Sequence, residues 1–231
     1  EISKTKDAWS GELADKAKSS DLDAERIDPR TALTELAKAM PARAMVSTDI
    51  GNVCSVANSY LGFEEPKSFL AAMSWGNCGY AMPAAMGAKV GQPDRPAIAY
   101  VGDGAWGMSL TEVMTCVREQ IPVVAVVFEN QQWGAEQRNQ LDFFDGRCVA
   151  TDLDNPSFAE IARAMGASGI SVGHADQVGD ALQAAVASNI PTVLELHLTR
   201  DLSEPFRRDA FRPQPLRLLE KYQKLGGKPR G

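Results

Sequence analysis

Asp103 and Asn130 are the residues whose chemistry organises this chain. Asp103 lies between Gly102 and Gly104, directly after the apolar run 97–101; Asn130 follows Glu129 at the end of a second apolar run, 123–128. A carboxylate flanked by glycines has bare backbone on both sides, so a large anion can come close. It would repel phosphate oxygens unless a cation stood between them. Carboxylate and amide oxygens are hard ligands, and Mg2+ usually takes one or two protein oxygens together with phosphates and water. These residues therefore fit a Mg2+–diphosphate site. Two other readings stay open. Gly102 to Gly107 also spells G-x-G-x-x-G after a predicted strand, with Glu129 where a ribose-binding acid would stand, the pattern of a dinucleotide site. The same residues also make an ordinary glycine turn. Against a dinucleotide, Ser109-Leu110-Thr111-Glu112 fits a capping box that starts the helix beyond Gly107. The third glycine of a dinucleotide fingerprint packs inside the helix, and a nicotinamide site needs no carboxylate at the pyrophosphate.

Strand, glycine turn, helix and strand make a βαβ unit with parallel strands. Asp103 and Asn130 then sit just past the carboxyl ends of neighbouring strands, where open α/β sheets bind ligands. On the intervening helix Leu110, Val113, Met114 and Val117 form one apolar face, which places them in the core. Upstream, Asp28-Pro29 starts a helix whose Leu33, Leu36, Ala37 and Met40 share a face, and Pro41 stops it. A short strand, 44–48, leads to Gly51 and Asn52 at the start of a helix reaching about Tyr60, where free backbone N–H groups favour anions. A strand over 69–72 precedes Ser74 to Ala88, so rich in small residues that it can pack closely on a helix or a ligand. Residues 131–147 mix charges with Trp133, Phe143 and Phe144, which suits a loop over a site or a surface loop with an aromatic anchor. Asn155-Pro156 starts another helix, with Phe158, Ile161, Ala162 and Met165 inward and Gly166 as its cap. Strands over 168–172 and 192–198, with a helix after Asp176, continue the alternation. About six βα units predict an α/β fold, a three-layer, doubly wound, mainly parallel sheet. Residues 1–27 read as an N-terminal arm or linker, 28–199 as the domain, and 200–231 as a C-terminal tail with a helix over 216–225.

Composition narrows the function. At 231 residues the chain can hold one large domain. A net charge of −6 and a pI near 5.1 argue against nucleic acid or an acidic membrane as partner. No apolar run approaches the roughly 20 residues of a membrane span, and no signal peptide is visible, which predicts a cytoplasmic protein. Cys54, Cys78, Cys116 and Cys148 are far apart and read as buried reduced thiols rather than zinc ligands. His174 and His197 have no motif around them and read as structural, so a Ser-His-Asp mechanism is not expected. Arg207 and Arg208 carry the planar donors that suit sulfonate or phosphate, or they make exposed salt bridges.

GDG, a spacer over 105–128, and a pair ending in Asn130 resemble the cofactor motif of thiamine diphosphate (ThDP) enzymes. The following Gln131-Gln132-Trp133-Gly134-Ala135-Glu136-Gln137 resembles the acetolactate synthase branch, and more narrowly the sulfoacetaldehyde acetyltransferases, with similarity from about Ile27 to Leu225. The resemblance implies the pyrophosphate-binding domain of a ThDP-binding fold. It implies Mg2+ held by Asp103, Asn130 and the backbone oxygen of Gln132. It places the cofactor against Gly51, Asn52, Gly102, Gly104, Ala105, Trp133 and Gly134, with its aminopyrimidine ring on the backbone of Gly76, Asn77 and Cys78. It assigns no catalytic side chain to this chain. Two positions depart from the pattern. The first member of the Asn pair is Glu129, which either adds negative charge near the metal or turns away into a helix cap or salt bridge. Cys78 stands where a bulky apolar residue usually bends the cofactor.

The implied activity is acyl transfer in sulfonate catabolism: sulfoacetaldehyde and phosphate to acetyl phosphate and sulfite. Alternatives are another ThDP enzyme, such as acetolactate synthase or a decarboxylase subunit, and a noncatalytic ThDP- or nucleotide-binding interaction domain. The resemblance further implies a pyrimidine-binding domain of the same enzyme, whose glutamate activates the cofactor, and a homodimer or homotetramer. The chain opens on Glu1 and a polar segment, which reads as a piece of something longer. By itself it is expected to be inactive.

Overall fold

The computed structural model describes residues 2–17 and 26–202; the expectations for Arg207, Arg208 and a helix over 216–225 lie outside the described residues. In chain order the elements are α1 (Ile2–Ala17), α2 (Pro29–Ala39), β1 (Met45–Thr48), α3 (Asn52–Ala57), β2 (Phe69–Ala71), α4 (Ala81–Gly91), β3 (Ala97–Gly102), α5 (Asp103–Trp106), α6 (Glu112–Glu119), β4 (Val123–Glu129), α7 (Gly134–Phe143), α8 (Phe158–Ala164), β5 (Ser168–Val172), α9 (Ala175–Ser188) and β6 (Thr192–His197). The strands form one six-stranded sheet in the order β2-β1-β3-β4-β6-β5, and every pairing is parallel.

The central strands are apolar without alternation because both faces are covered. Ile98, Tyr100, Val124, Val126, Phe128, Leu194 and Leu196 point to one core, completed by α2, α3 and α9. Ala97, Ala99, Val101, Val123, Ala125, Val127 and Val193 point to the other, completed by α4, α5, α6 and α8. This is the three-layer α/β fold that the alternating pattern predicts. Local signals work where a side chain can satisfy the backbone. Asp28 caps α2 by accepting from the Thr31 N–H at 2.8 Å, with Pro29 in its first turn. Gly166 follows α8 at φ +90°.

Several expectations need correction. Met114 is 51% exposed, whereas Val113 and Cys116 are buried. The buried direction of α6 runs between those two, and Met114 lies too far round the helix to reach the core. The capping box does not form: Thr111 precedes α6 without a side-chain cap bond, and the Ser109 hydroxyl is buried with no partner. A single turn, α5, begins at Asp103 itself. Helix α3 stops at Ala57 rather than near Tyr60. Helix α8 starts at Phe158, capped by the Ser157 hydroxyl, two residues beyond Pro156. Residues 134–143 of the expected loop are the helix α7; polar on most sides, it lacks the apolar period by which a helix is recognised. Cys54 and Cys116 are buried free thiols, but Cys148 is exposed.

Candidate functional site

The strand order reverses between β1 and β3. From β1 the chain steps outward to β2, then returns to add β3 on the other side. Such a switch opens a crevice at the carboxyl ends of the strands. A cavity of about 270 Å³ lies there, lined from the exits of β1, β3 and β4 and the first turn of α7.

Asp103 leaves β3 into α5 and is 3% exposed. Its Oδ2 accepts hydrogen bonds from the Gln131 N–H at 2.7 Å, the Asn155 side-chain amide at 2.8 Å and the Asn130 N–H at 3.2 Å. Its Oδ1 accepts from the Gly104 N–H at 2.9 Å. Residues 27 positions apart in sequence are thus in direct contact. Burial nevertheless dominates, and it pushes the Asp103 carboxyl up to about 6 against these hydrogen bonds. Asp103 and Glu136 put two carboxyl groups on the cavity lining, and among the described residues no Lys, Arg or His lines it. Two buried amide oxygens in the same lining, Asn52 Oδ1 and Gln132 Oε1, have no hydrogen-bond partner among the described residues. A buried carboxyl beside two unpartnered amide oxygens is a donor set suited to a hard metal ion.

The supporting residues sit at strand ends. Asp49, after β1, accepts from the N–H groups of Gly79 at 3.1 Å and Ala81 at 2.9 Å, tying the 76–80 loop and the start of α4 to the sheet. Burial pushes the Asp49 carboxyl above its ordinary value. Glu195 on β6 receives the Phe158 and Ala159 N–H groups at 3.0 and 3.2 Å and the Ser157 hydroxyl at 3.0 Å. It thereby pins the start of α8, just after the Asn155 that bonds Asp103. Gly51, at φ +131°, takes a backbone conformation that side chains disfavour.

Gly104 needs its missing side chain for another reason. A Cβ there would lie 2.7 Å from the Trp133 ring. Gly104→Ala is expected to displace that ring at a cost of about 1–3 kcal/mol. An altered tryptophan emission and weaker ligand binding would register it; an unchanged spectrum with unchanged affinity would contradict it.

Glu129 turns away from the cavity. Its Oε2 pairs with Arg26 at 3.0 Å and His197 Nδ1 at 3.0 Å, while His197 Nε2 lies 2.7 Å from the Ser171 hydroxyl. Burial acts to raise the Glu129 carboxyl, but the His197 hydrogen bond and the Arg26 charge outweigh it and hold it below its ordinary value. Glu129 is therefore in a salt bridge, and His197 is a structural partner in it. Cys78 lines the cavity half-buried, its thiol pushed up by burial and then by the nearby Asp49 and Glu136 carboxyls.

Of the residues expected around a cofactor, Gly51, Asn52, Gly76, Cys78 and Gly102 line this cavity, as do Asp103, Gly104 and Ala105 from α5. Asn130, Gln132 and Trp133 line it from the turn after β4, and Gly134 from the start of α7; of the expected residues Asn77 alone is absent from the lining. Asp49, Glu136, Asn139, Asn155 and Arg200 were not legible as site residues. Asn155 precedes Pro156, a pair whose local signal is a helix start rather than a site contact. Glu136 and Asn139 stand three apart on the face of α7 that meets the cavity, a spacing that means something only once the helix is known.

Residues 49–196 match the family model described as "Thiamine pyrophosphate enzyme, C-terminal TPP binding domain". The chain is 56% identical over 238 aligned residues to a sulfoacetaldehyde acetyltransferase of Castellaniella defragrans, covering 96% of this chain and 40% of that protein. It is 60% identical over 201 residues to a protein of the same name from Alcaligenes xylosoxydans xylosoxydans, covering 85% of this chain and 33% of the relative. The chain thus spans between a third and two fifths of the length of these curated relatives. Among solved structures, benzoylformate decarboxylase from Polynucleobacter necessarius superposes with a TM-score of 0.73 at 22% identity, over 82% of this chain and 36% of the other. That likeness concerns the fold alone.

Proposed function

This chain belongs to the thiamine pyrophosphate enzymes, through their C-terminal TPP binding domain, and from that premise we propose that it holds ThDP and Mg2+ for a sulfoacetaldehyde acetyltransferase. The observation that carries the cofactor reading is the Asp103 carboxyl, buried against the Asn130–Gln132 turn in a cavity that, among the described residues, no cationic side chain lines. A diphosphate entering beside that carboxyl is favoured when a cation accompanies it. The Asp103 carboxylate, the Asn130 side-chain oxygen and the Gln132 carbonyl would hold that cation. Gly51, Asn52, Gly102, Gly104 and Ala105 would receive the diphosphate, with Trp133 and Gly134 closing over it. Gly76, Asn77 and Cys78 would bear on the pyrimidine ring, in a loop braced by Asp49. When bound, ThDP supplies a nucleophilic thiazolium carbon; the residues of this chain bind and orient it.

The acyl-transfer assignment, sulfoacetaldehyde plus phosphate to acetyl phosphate plus sulfite in sulfonate catabolism, rests on the 56–60% identity to proteins of that name. The domain division is 1–27 arm, 28–199 cofactor domain and 200–231 tail. The rest of the enzyme contributes a pyrimidine-binding domain, and Trp75 at 89% exposure, Met73 at 67% and Met108 at 62% are apolar surface for it or for a second subunit to cover. The assembly is a homodimer or homotetramer, working in the cytoplasm; among the described residues no helix is long and apolar enough to cross a membrane.

The test uses the full-length protein with ThDP and Mg2+. Acetyl phosphate and sulfite formed from sulfoacetaldehyde and phosphate are the expected products. Acetolactate from pyruvate, or decarboxylation without acetyl phosphate, would move the assignment to another ThDP enzyme. Binding of NAD in place of ThDP and Mg2+ by calorimetry would overturn the cofactor reading.

A further inference from the structure

The three carbonyls of the Asn130–Gln132 turn are chemically alike, yet only one of them is left for an ion. Arg200, beyond the end of β6, donates from Nε to the Asn130 carbonyl at 3.1 Å and from Nη2 to the Gln131 carbonyl. The Leu153 N–H also donates to the Gln131 carbonyl, at 3.0 Å. Among the described residues no donor reaches the carbonyl of Gln132. The guanidinium is held in turn by Asp152, at 2.7 Å from Nη1. The turn is closed on the same side by the Trp133 N–H on the Thr151 carbonyl, at 2.8 Å. Gln131 has φ +57°, a left-handed conformation uncommon for a residue with a side chain.

We propose that Arg200 is a positioning residue of the metal site: by occupying the carbonyls of Asn130 and Gln131, it holds the turn so that the Gln132 carbonyl is the one presented to Mg2+. This rests on the reading of the cavity as a Mg2+–ThDP site. The planar fork of a guanidinium can bind two carbonyls and a carboxylate at once. A lysine ammonium is a single point on a flexible stem and cannot span the same three acceptors in fixed geometry. Mg2+ demands near-ideal octahedral oxygens at about 2.1 Å, whereas Ca2+ accepts a looser shell at longer distance. A turn released from Arg200 should therefore harm Mg2+ more than Ca2+.

The experiment titrates Mg2+ and Ca2+ into the metal-stripped full-length protein with ThDP present, by calorimetry and tryptophan emission. The variants are R200A, R200K and D152N. In R200A the Mg2+ dissociation constant is expected to rise about 10- to 100-fold, the range for supporting residues around a metal, with a clearly smaller rise for Ca2+. R200K should recover only part of the loss, and D152N should show a smaller loss of the same kind. Unchanged Mg2+ affinity in R200A overturns the proposal. Equal losses for Mg2+ and Ca2+ with a lowered melting temperature also overturn it, since that marks general loosening. If R200A does not fold, the comparison of R200K with D152N decides by the same ratio. Failure of the wild-type protein to bind Mg2+ with ThDP would instead remove the cofactor reading on which the proposal stands.

Discussion

Asp103→Asn is expected to weaken Mg2+ and ThDP binding by at least about 10²-fold while leaving the metal-free fold intact. Removing one partner of a buried charge pair costs about 3–5 kcal/mol, and each 1.4 kcal/mol is tenfold in affinity. An amide keeps one oxygen for the N–H groups of Asn130 and Gln131, so the turn can persist. The variant should also reveal what the wild-type carboxyl costs. With its pKa raised to about 6 from an ordinary 3.8, Asp103 binds a proton more readily folded than unfolded. Its contribution to the stability of the metal-free protein is therefore fully favourable below about pH 4 and is lost as pH rises through about 6. At neutral pH the metal-free Asp103→Asn protein should melt no lower than wild type, and that part of the pH slope should vanish. Mg2+ affinity of the wild type should fall below about pH 6, where a proton competes with the ion. Retained Mg2+ and ThDP affinity in Asp103→Asn, measured by calorimetry, would remove Asp103 from the metal site.

Gly169→Ala should be the most damaging small change in the fold. The added Cβ would fall 2.0 Å from the Ala159 carbonyl oxygen and 2.7 Å from its carbon, where α8 lies against β5. Overpacking usually costs about 1–3 kcal/mol when side chains can yield; here the obstacle is backbone, so a loss of about 3 kcal/mol or more is expected. The damage should reach the cavity, because α8 begins just after the Asn155 that bonds Asp103 at 2.8 Å. Gly87→Ala is the matched control: Gly87 lies in α4 with nothing within 4 Å of the added Cβ. Relief of the helix penalty of glycine should stabilise it by about 0.5–1 kcal/mol. Thermal melts of the two variants check the pair; equal melting temperatures would refute the packing argument.

The amino-acid sequence alone determined the strands, because runs such as 97–101 and 123–128 are continuously apolar, and only a sheet covered on both faces buries such runs. It determined the start of α2, because Asp28 and Pro29 act on their own backbone. It also determined that Asp103, Asn130 and the glycines around them lie at strand ends, since local order places a residue along the chain before any folding. Its limits are equally physical. Only the tertiary structure decided that Glu129 turns into the Arg26 and His197 pair, because those partners stand 103 and 68 positions away. It decided that α7 is a helix, because that helix is tied to the 149–152 segment by Gln137 and Gln140 rather than marked by an apolar stripe. It decided that Met114 faces outward, since the buried direction of a short helix is set by what packs on it. Asn155, Glu195 and Arg200 support the site through side-chain hydrogen bonds across distant segments. Such bonds leave no period or motif in the chain, since their geometry exists only when the sheet has brought the ends of β3, β4 and β6 together.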